Sequence, residues 1–212
     1  MKQLEKALIK GLFPNLKGKW GEINLNEIAK DLSGLLSPML DQDENPFLDP
    51  DVCENWKNFI HKVKGIDYSF GGYMEDRSVV WSGHYHEPGH VTHLGVDFYV
   101  PEGSLVFLPV EAELISSEVD EDQNGGWGGK LVFRWKHGYF ILAHLKGIIT
   151  ATQDYGVGRV VGVIAEPEKN GNWSPHLHLQ CMTTYNPSVD GYAKYYDGIE
   201  KDFPNPLTLR WS

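Results

Sequence analysis

The segment His176-Leu177-His178-Leu179 follows Asn170-Gly171-Asn172-Trp173-Ser174-Pro175. On a strand, successive side chains point to opposite faces, so His176 and His178 share one face while Leu177 and Leu179 share the other. Two imidazoles backed by two core leucines offer nitrogen ligands to a metal, or one ligand and one catalytic base. A second set lies in Thr92-His93-Leu94-Gly95-Val96-Asp97-Phe98-Tyr99-Val100. Read as one strand, it puts His93, Gly95 and Asp97 on one face and the apolar Leu94, Val96 and Phe98 on the other. Glycine weakens a strand interior and marks a close approach to the backbone. His144 stands near the end of the apolar run Tyr139-Phe140-Ile141-Leu142-Ala143-His144-Leu145. Together His93, Asp97 and His178 supply two imidazoles and a carboxylate. Catalytic zinc typically takes three such protein ligands and leaves the fourth position to water.

The order H-x-x-x-D, a strand ending His-Leu, then H-x-H resembles the lysostaphin-type zinc metallopeptidases, which carry the LytM-like peptidase domain. Smaller matches fall in the same order: Pro101-Glu102-Gly103 before an apolar strand, Gly126-Trp127-Gly128 before a hairpin, and Val157-Gly158-Arg159-Val160-Val161-Gly162 ahead of the H-x-H strand. The resemblance spans roughly residues 70 to 185. It implies zinc (Zn2+) on His93, Asp97 and His178. It also implies that the unligated His144 and His176 handle the water proton and the developing oxyanion. Two departures stand out. The Gly-rich turn with Thr or Ser before H-x-H is replaced by residues 170–175, and the aromatic two residues before His144 is replaced by Leu142. This version of the H-x-H segment is similar to a branch fused to intracellular aminotransferase-like proteins, which points away from the usual cell-wall substrate.

The remaining histidines read differently. His84 and His86 form another H-x-H, followed by His90, but Ser82-Gly83 and Glu87-Pro88-Gly89 bracket them with loop residues. A cupin-like metal site would want a Glu where His90 stands. His61 reads as solvated on a helix and His137 as solvated in a turn.

Lys plus Arg number 19 and Asp plus Glu 29, a net charge of −10. That argues against nucleic acid and anionic membrane surfaces as partners and disfavours passive adhesion to an anionic wall. Two distant cysteines, Cys53 and Cys181, do not make a disulfide framework, and Cys181 reads as core. No secretory signal follows Met1, and no apolar run is long enough to span a bilayer, so a cytoplasmic protein is expected.

The elements that must position the histidines fall into three parts: an N-terminal helical subdomain (1–68), the LytM-like peptidase domain (69–190) and a C-terminal tail packed on it (191–212). Helical stripes are predicted at Leu4, Leu8 and Leu12, at Leu25, Ile28, Leu32 and Leu36 behind an Asn24–Glu27 capping box, and at Val52, Trp56, Ile60 and Val63. From residue 69, short apolar runs alternate with Gly, Asn and Asp turns. The acidic stretch Glu118–Asp122 reads as a solvated hairpin loop. The expected fold is mainly β, α+β overall, with an antiparallel sheet or open barrel. The expected activity is zinc-dependent hydrolysis of a peptide bond in a small or peptidoglycan-derived peptide. A non-catalytic, metal-dependent module that binds a peptide or muropeptide, or regulates a partner, is the alternative.

Overall fold

A computed structural model of the chain describes residues 1–36, 45–82 and 89–211. In order come α1 (Gln3–Leu12), β1 (Trp20–Glu22), α2 (Leu25–Leu36), α3 (Pro50–Lys64), β2 (Tyr68–Gly71), β3 (His90–His93) and β4 (Val96–Tyr99). Then follow β5 (Leu105–Phe107), β6 (Ala112–Asp120), β7 (Gly128–Trp135), β8 (Gly138–Lys146), β9 (Asp154–Tyr155), β10 (Val160–Ile164), β11 (Leu177–Met182), β12 (Tyr192–Lys194) and α4 (Ile199–Asp202). The fold is mainly β.

One open sheet runs β1-β2-β4-β11-β8-β7-β6-β9, with β10 joining β5 to β8. Its pairings are antiparallel except β1–β2, which is parallel. The sheet does not close into a barrel.

Alternation along β11 sends Leu177, Leu179 and Cys181 into the main core, leaving His178 and Gln180 for the other face. Along β8, Phe140 and Leu142 join that core, whereas Ile141 and Ala143 join a smaller cluster on the opposite face. Helix α1 closes the main core with Leu8, Ile9 and Leu12. Leu4, expected in the same stripe, is exposed. From the tail, Trp211 stacks on Trp135 with ring centroids 4.3 Å apart. Both cysteines are buried and unpaired.

Four local expectations are corrected in whole or in part. Residues 92–100 are not one strand: the chain breaks at Leu94–Gly95, and β3 pairs with β12 in a separate two-stranded sheet. Leu94 therefore packs in the smaller cluster, while Val96 and Phe98 pack in the main core. On α3, Val52, Trp56 and Ile60 pack partly buried against a second core cluster as expected, but Val63 is 67% exposed and the fully buried residues are Cys53, Lys57 and His61. His61 is not solvated; its Nε2 lies 2.7 Å from the buried Ser69 Oγ. Finally, Glu118–Asp120 belong to β6 rather than to a loop.

Caps set the helix limits. Asn24 Oδ1 accepts the Glu27 N–H at 2.9 Å ahead of α2, and Asp49 Oδ1 accepts the Asp51 N–H at 2.9 Å ahead of α3. Helix α3 ends at Gly65, whose φ of 62° is the left-handed cap that glycine adopts most cheaply.

Candidate metal centre

Adjacent sheet positions bring the trio together. Asp97 on β4 lies opposite His178 on β11, and His93 ends β3 just before the Leu94–Gly95 break. The break turns His93 back towards Asp97, so their Nε2 and Oδ1 stand 3.3 Å apart. His178 Nδ1 lies 3.0 Å from Asp97 Oδ1 and 3.0 Å from His93 Nε2. All three side chains are buried.

The second nitrogen of each ring is committed elsewhere. His93 Nδ1 lies 2.8 Å from the Gly72 carbonyl, which accepts its proton. His178 Nε2 lies 3.1 Å from Gln180 Oε1, and the Gln180 amide is oriented because its Nε2 donates to the Asp190 carbonyl at 3.3 Å. In their neutral forms the two imidazoles thus point lone pairs at one another and at a carboxylate. Three electron-pair donors facing each other at 3.0–3.3 Å repel unless a cation lies among them. A tetrahedral zinc with arms of about 2.0–2.1 Å has ligand–ligand edges of roughly 3.3–3.4 Å, so the donor set fits zinc.

Asp97 is also held from behind. Arg77 Nη1 lies 2.8 Å from Asp97 Oδ2, and the Tyr99 hydroxyl donates to the same oxygen at 3.1 Å. Glu75 Oε2 pairs with Arg77 Nε at 2.9 Å, and Glu75 Oε1 accepts the Asn26 N–H from the first turn of α2. Burial alone would raise the Asp97 pKa, but His93 and Arg77 outweigh it and hold the carboxyl well below its ordinary range. Burial, reinforced by Arg77, lowers His93. Outer partners of this kind fix ligand orientation and basicity.

His144 and His176 lie beside the trio, their ring centroids 4.3 Å apart. His176 Nδ1 donates to the Ser174 carbonyl at 2.8 Å, leaving Nε2 with a lone pair 3.7 Å from Asp97 Oδ1. Burial pushes the His176 pKa down to about 4 and His144 well below its usual value, so both rings are neutral near pH 7. His144 sits at φ 64°, unusual for a non-glycine residue, and its Nδ1 is buried without a hydrogen-bond partner. Strain of this sort persists only where surroundings enforce it. Here the His144 N–H bonds to Trp127 O and its carbonyl accepts from Ala165, both about in register at 2.9 and 3.0 Å.

Gly95 answers the close approach expected of it: a Cβ there would lie 2.6 Å from His178 Nε2. The cleft over these groups is about 40 Å³ and is walled by Trp127, Trp173, Trp81 and Tyr192.

All five residues expected from sequence converge on this site. His90 begins β3, opposite Lys194, and His137 is exposed in its turn. His84 and His86 lie outside the described residues. Sequence reasoning missed Arg77, Glu75, Gln180 and Tyr99. Gln180 and Tyr99 were findable, each lying two residues along the strand from His178 or Asp97 and so on the same face. Arg77 had no such signal, because Glu75-Asp76-Arg77 looks like an ordinary surface charge run.

No family model and no curated protein match this chain. Among solved structures, the chain is similar to the catalytic domain of the antimicrobial peptidase lysostaphin from Staphylococcus simulans, at 20% identity over 66% of this chain and 92% of that one, TM-score 0.40. It is similar to the catalytic domain of the prophage-encoded protein EnpA from Enterococcus faecalis, at 17% identity over 59% of this chain and 85% of that one, TM-score 0.40. A zinc-containing peptidase from Vibrio cholerae matches at 24% identity over 42% of this chain, TM-score 0.36, and the match spans only 26% of that longer chain.

Proposed function

We propose that the chain is a zinc metallopeptidase that hydrolyses a peptide bond in a small peptide, with peptides released from peptidoglycan the favoured class. The observation behind this reading is the convergence of two imidazole lone pairs and a carboxylate beside two further neutral histidines. His93 Nε2, Asp97 Oδ1 and His178 Nδ1 would hold the metal. When bound, zinc lowers the pKa of a coordinated water to about 7 and polarises a carbonyl.

The protein's own part follows from the two unligated rings. His176 presents Nε2 as an acceptor because Ser174 holds its Nδ1 proton, so it can take the proton of an attacking water. His144 faces it with an unpartnered nitrogen and can share that proton or pass it to the leaving amine. The aromatic residues that line the cleft lower its local polarity, which strengthens electrostatic interactions inside. A net charge of −10 favours small soluble peptides over an intact anionic wall.

Purified, zinc-loaded protein screened by mass spectrometry against a library of muropeptides and dipeptides tests the reading. Cleavage of a peptide amide that stops with a chelator and returns with zinc is the expected result. Tight zinc binding with peptide capture and no cleavage would replace it by the non-catalytic module.

A further inference from the structure

Asn170 is fully buried and lines the cleft together with His144 and His176. Its position is tightly held. The Asn170 N–H bonds to Pro167 O at 3.2 Å, and its backbone packs so closely on Gly128 that a Cβ there would lie 3.3 Å from Asn170 Cα. The side-chain amide is oriented too, since its Oδ1 accepts the Trp173 N–H at 3.0 Å. That leaves Nδ2 as the free end, and it is buried without a hydrogen-bond partner.

An unpaired buried N–H costs roughly 1–3 kcal/mol, and such groups in native proteins call for an explanation. The turn into Trp173 does not supply one. Capping Trp173 needs only an acceptor, which Asp or Ser would provide without burying an amide donor. The surplus donor stands on the cleft wall with the two unligated histidines, where an oxygen acceptor would satisfy it.

The geometry points to Asn170 as a catalytic residue, its Nδ2–H donating to the scissile carbonyl oxygen as that oxygen takes on negative charge. This rests on the peptidase reading. The water oxygen bonds to the carbonyl carbon while its proton moves to His176 Nε2. The carbonyl π pair moves onto the oxygen, which accepts the hydrogen bond from Asn170. On collapse that pair re-forms the carbonyl, the C–N bond breaks, and the proton is delivered to the departing amine. Asn170 is unchanged throughout. A preorganised donor of this kind is worth more at the tetrahedral stage than in the ground state, so its effect falls on kcat.

The test compares full-length Asn170→Asp, which keeps the acceptor for Trp173 and loses the donor, with Asn170→Ala, which loses both. Zinc content, circular dichroism, kcat and KM on a peptide from the screen, and affinity for the phosphinic isostere of that peptide are measured. Both variants should hold wild-type zinc, lose about 10²–10³ in kcat at nearly constant KM, and lose phosphinate affinity by a similar factor. A kcat within about threefold of wild type in a folded, zinc-loaded variant overturns the proposal, given the size of effect a lost oxyanion donor normally has. A loss confined to Asn170→Ala also overturns it, because only the turn would then matter. If Asn170→Ala fails to fold, Asn170→Asp decides. Wild-type protein that neither cleaves peptides nor binds the phosphinate overturns the peptidase reading and this assignment with it.

Discussion

The two halves of the cleft are built on opposite terms. On the side of His93, Asp97 and His178 every polar atom of the trio has a partner, although Arg77 Nη2 behind them has none: Gly72 O takes the His93 proton, Gln180 takes that of His178, and Arg77 and Tyr99 hold the outer oxygen of Asp97. On the other side His144 Nδ1 and Asn170 Nδ2 are buried with none. Buried partners pin a side chain in one pose, whereas buried atoms without partners hold free energy in reserve for an incoming group. On the proposed reading, the difference separates a half that would hold the metal from a half that would meet substrate.

The largest expected effect breaks the pinned half. Asp97→Ala should abolish stoichiometric zinc, measured by elemental analysis. It should also destabilise the protein by about 1–3 kcal/mol in denaturant melts, because buried Arg77 keeps Glu75 but loses the Asp97 acceptor on Nη1. Retained zinc would end the distinction between the halves.

Next, His144→Ala and His176→Ala should keep their zinc and lose at least roughly 10² in hydrolysis rate, as acid–base or oxyanion groups do. Zinc loss in either variant would move that residue to the ligand side.

A milder change probes the fit rather than the donors. Gly95→Ala puts a Cβ 2.6 Å from His178 Nε2, displacing the ring from its Gln180 partner. Zinc affinity in chelator competition should fall about 10- to 100-fold, the usual cost of disturbing a ligand's outer partner. Unchanged affinity would show that the His178 pose does not depend on this packing.

The smallest effect is on acid stability of the metal-free protein. His176, His144 and His93 all have pKa values lowered by burial, His176 to about 4, so the unfolded chain binds protons that the folded chain refuses. Stability is therefore full above the ordinary histidine pKa of 6.5 and falls as pH drops from there towards about 4. Melting temperature across that window should decline in wild type and decline less in His176→Ala. Parallel slopes would mean that the ring is hydrated in solution.

Much of the half built on His93, Asp97 and His178 was written locally. Strand alternation placed His178 opposite Leu177 and Leu179, and a glycine between His93 and Asp97 marked a close approach that His178 makes. These are short-range constraints, since pleat and steric bulk act within two residues of the chain. Even there the outcome differed in one respect: His93 reaches Asp97 because the strand breaks at Leu94–Gly95, not because one face continues.

What tertiary structure alone decided is the support and the poise of the site. Arg77 is 1% exposed only because β4, Tyr192 and the first turn of α2, through Glu75, close around it, and nothing in Glu75-Asp76-Arg77 marks that burial. Likewise Asn170 and His144 owe their unpartnered atoms to which segments happen to pack beside them. Residue type names the donors a side chain carries; desolvation and the presence or absence of a partner are set by chain segments far away in sequence.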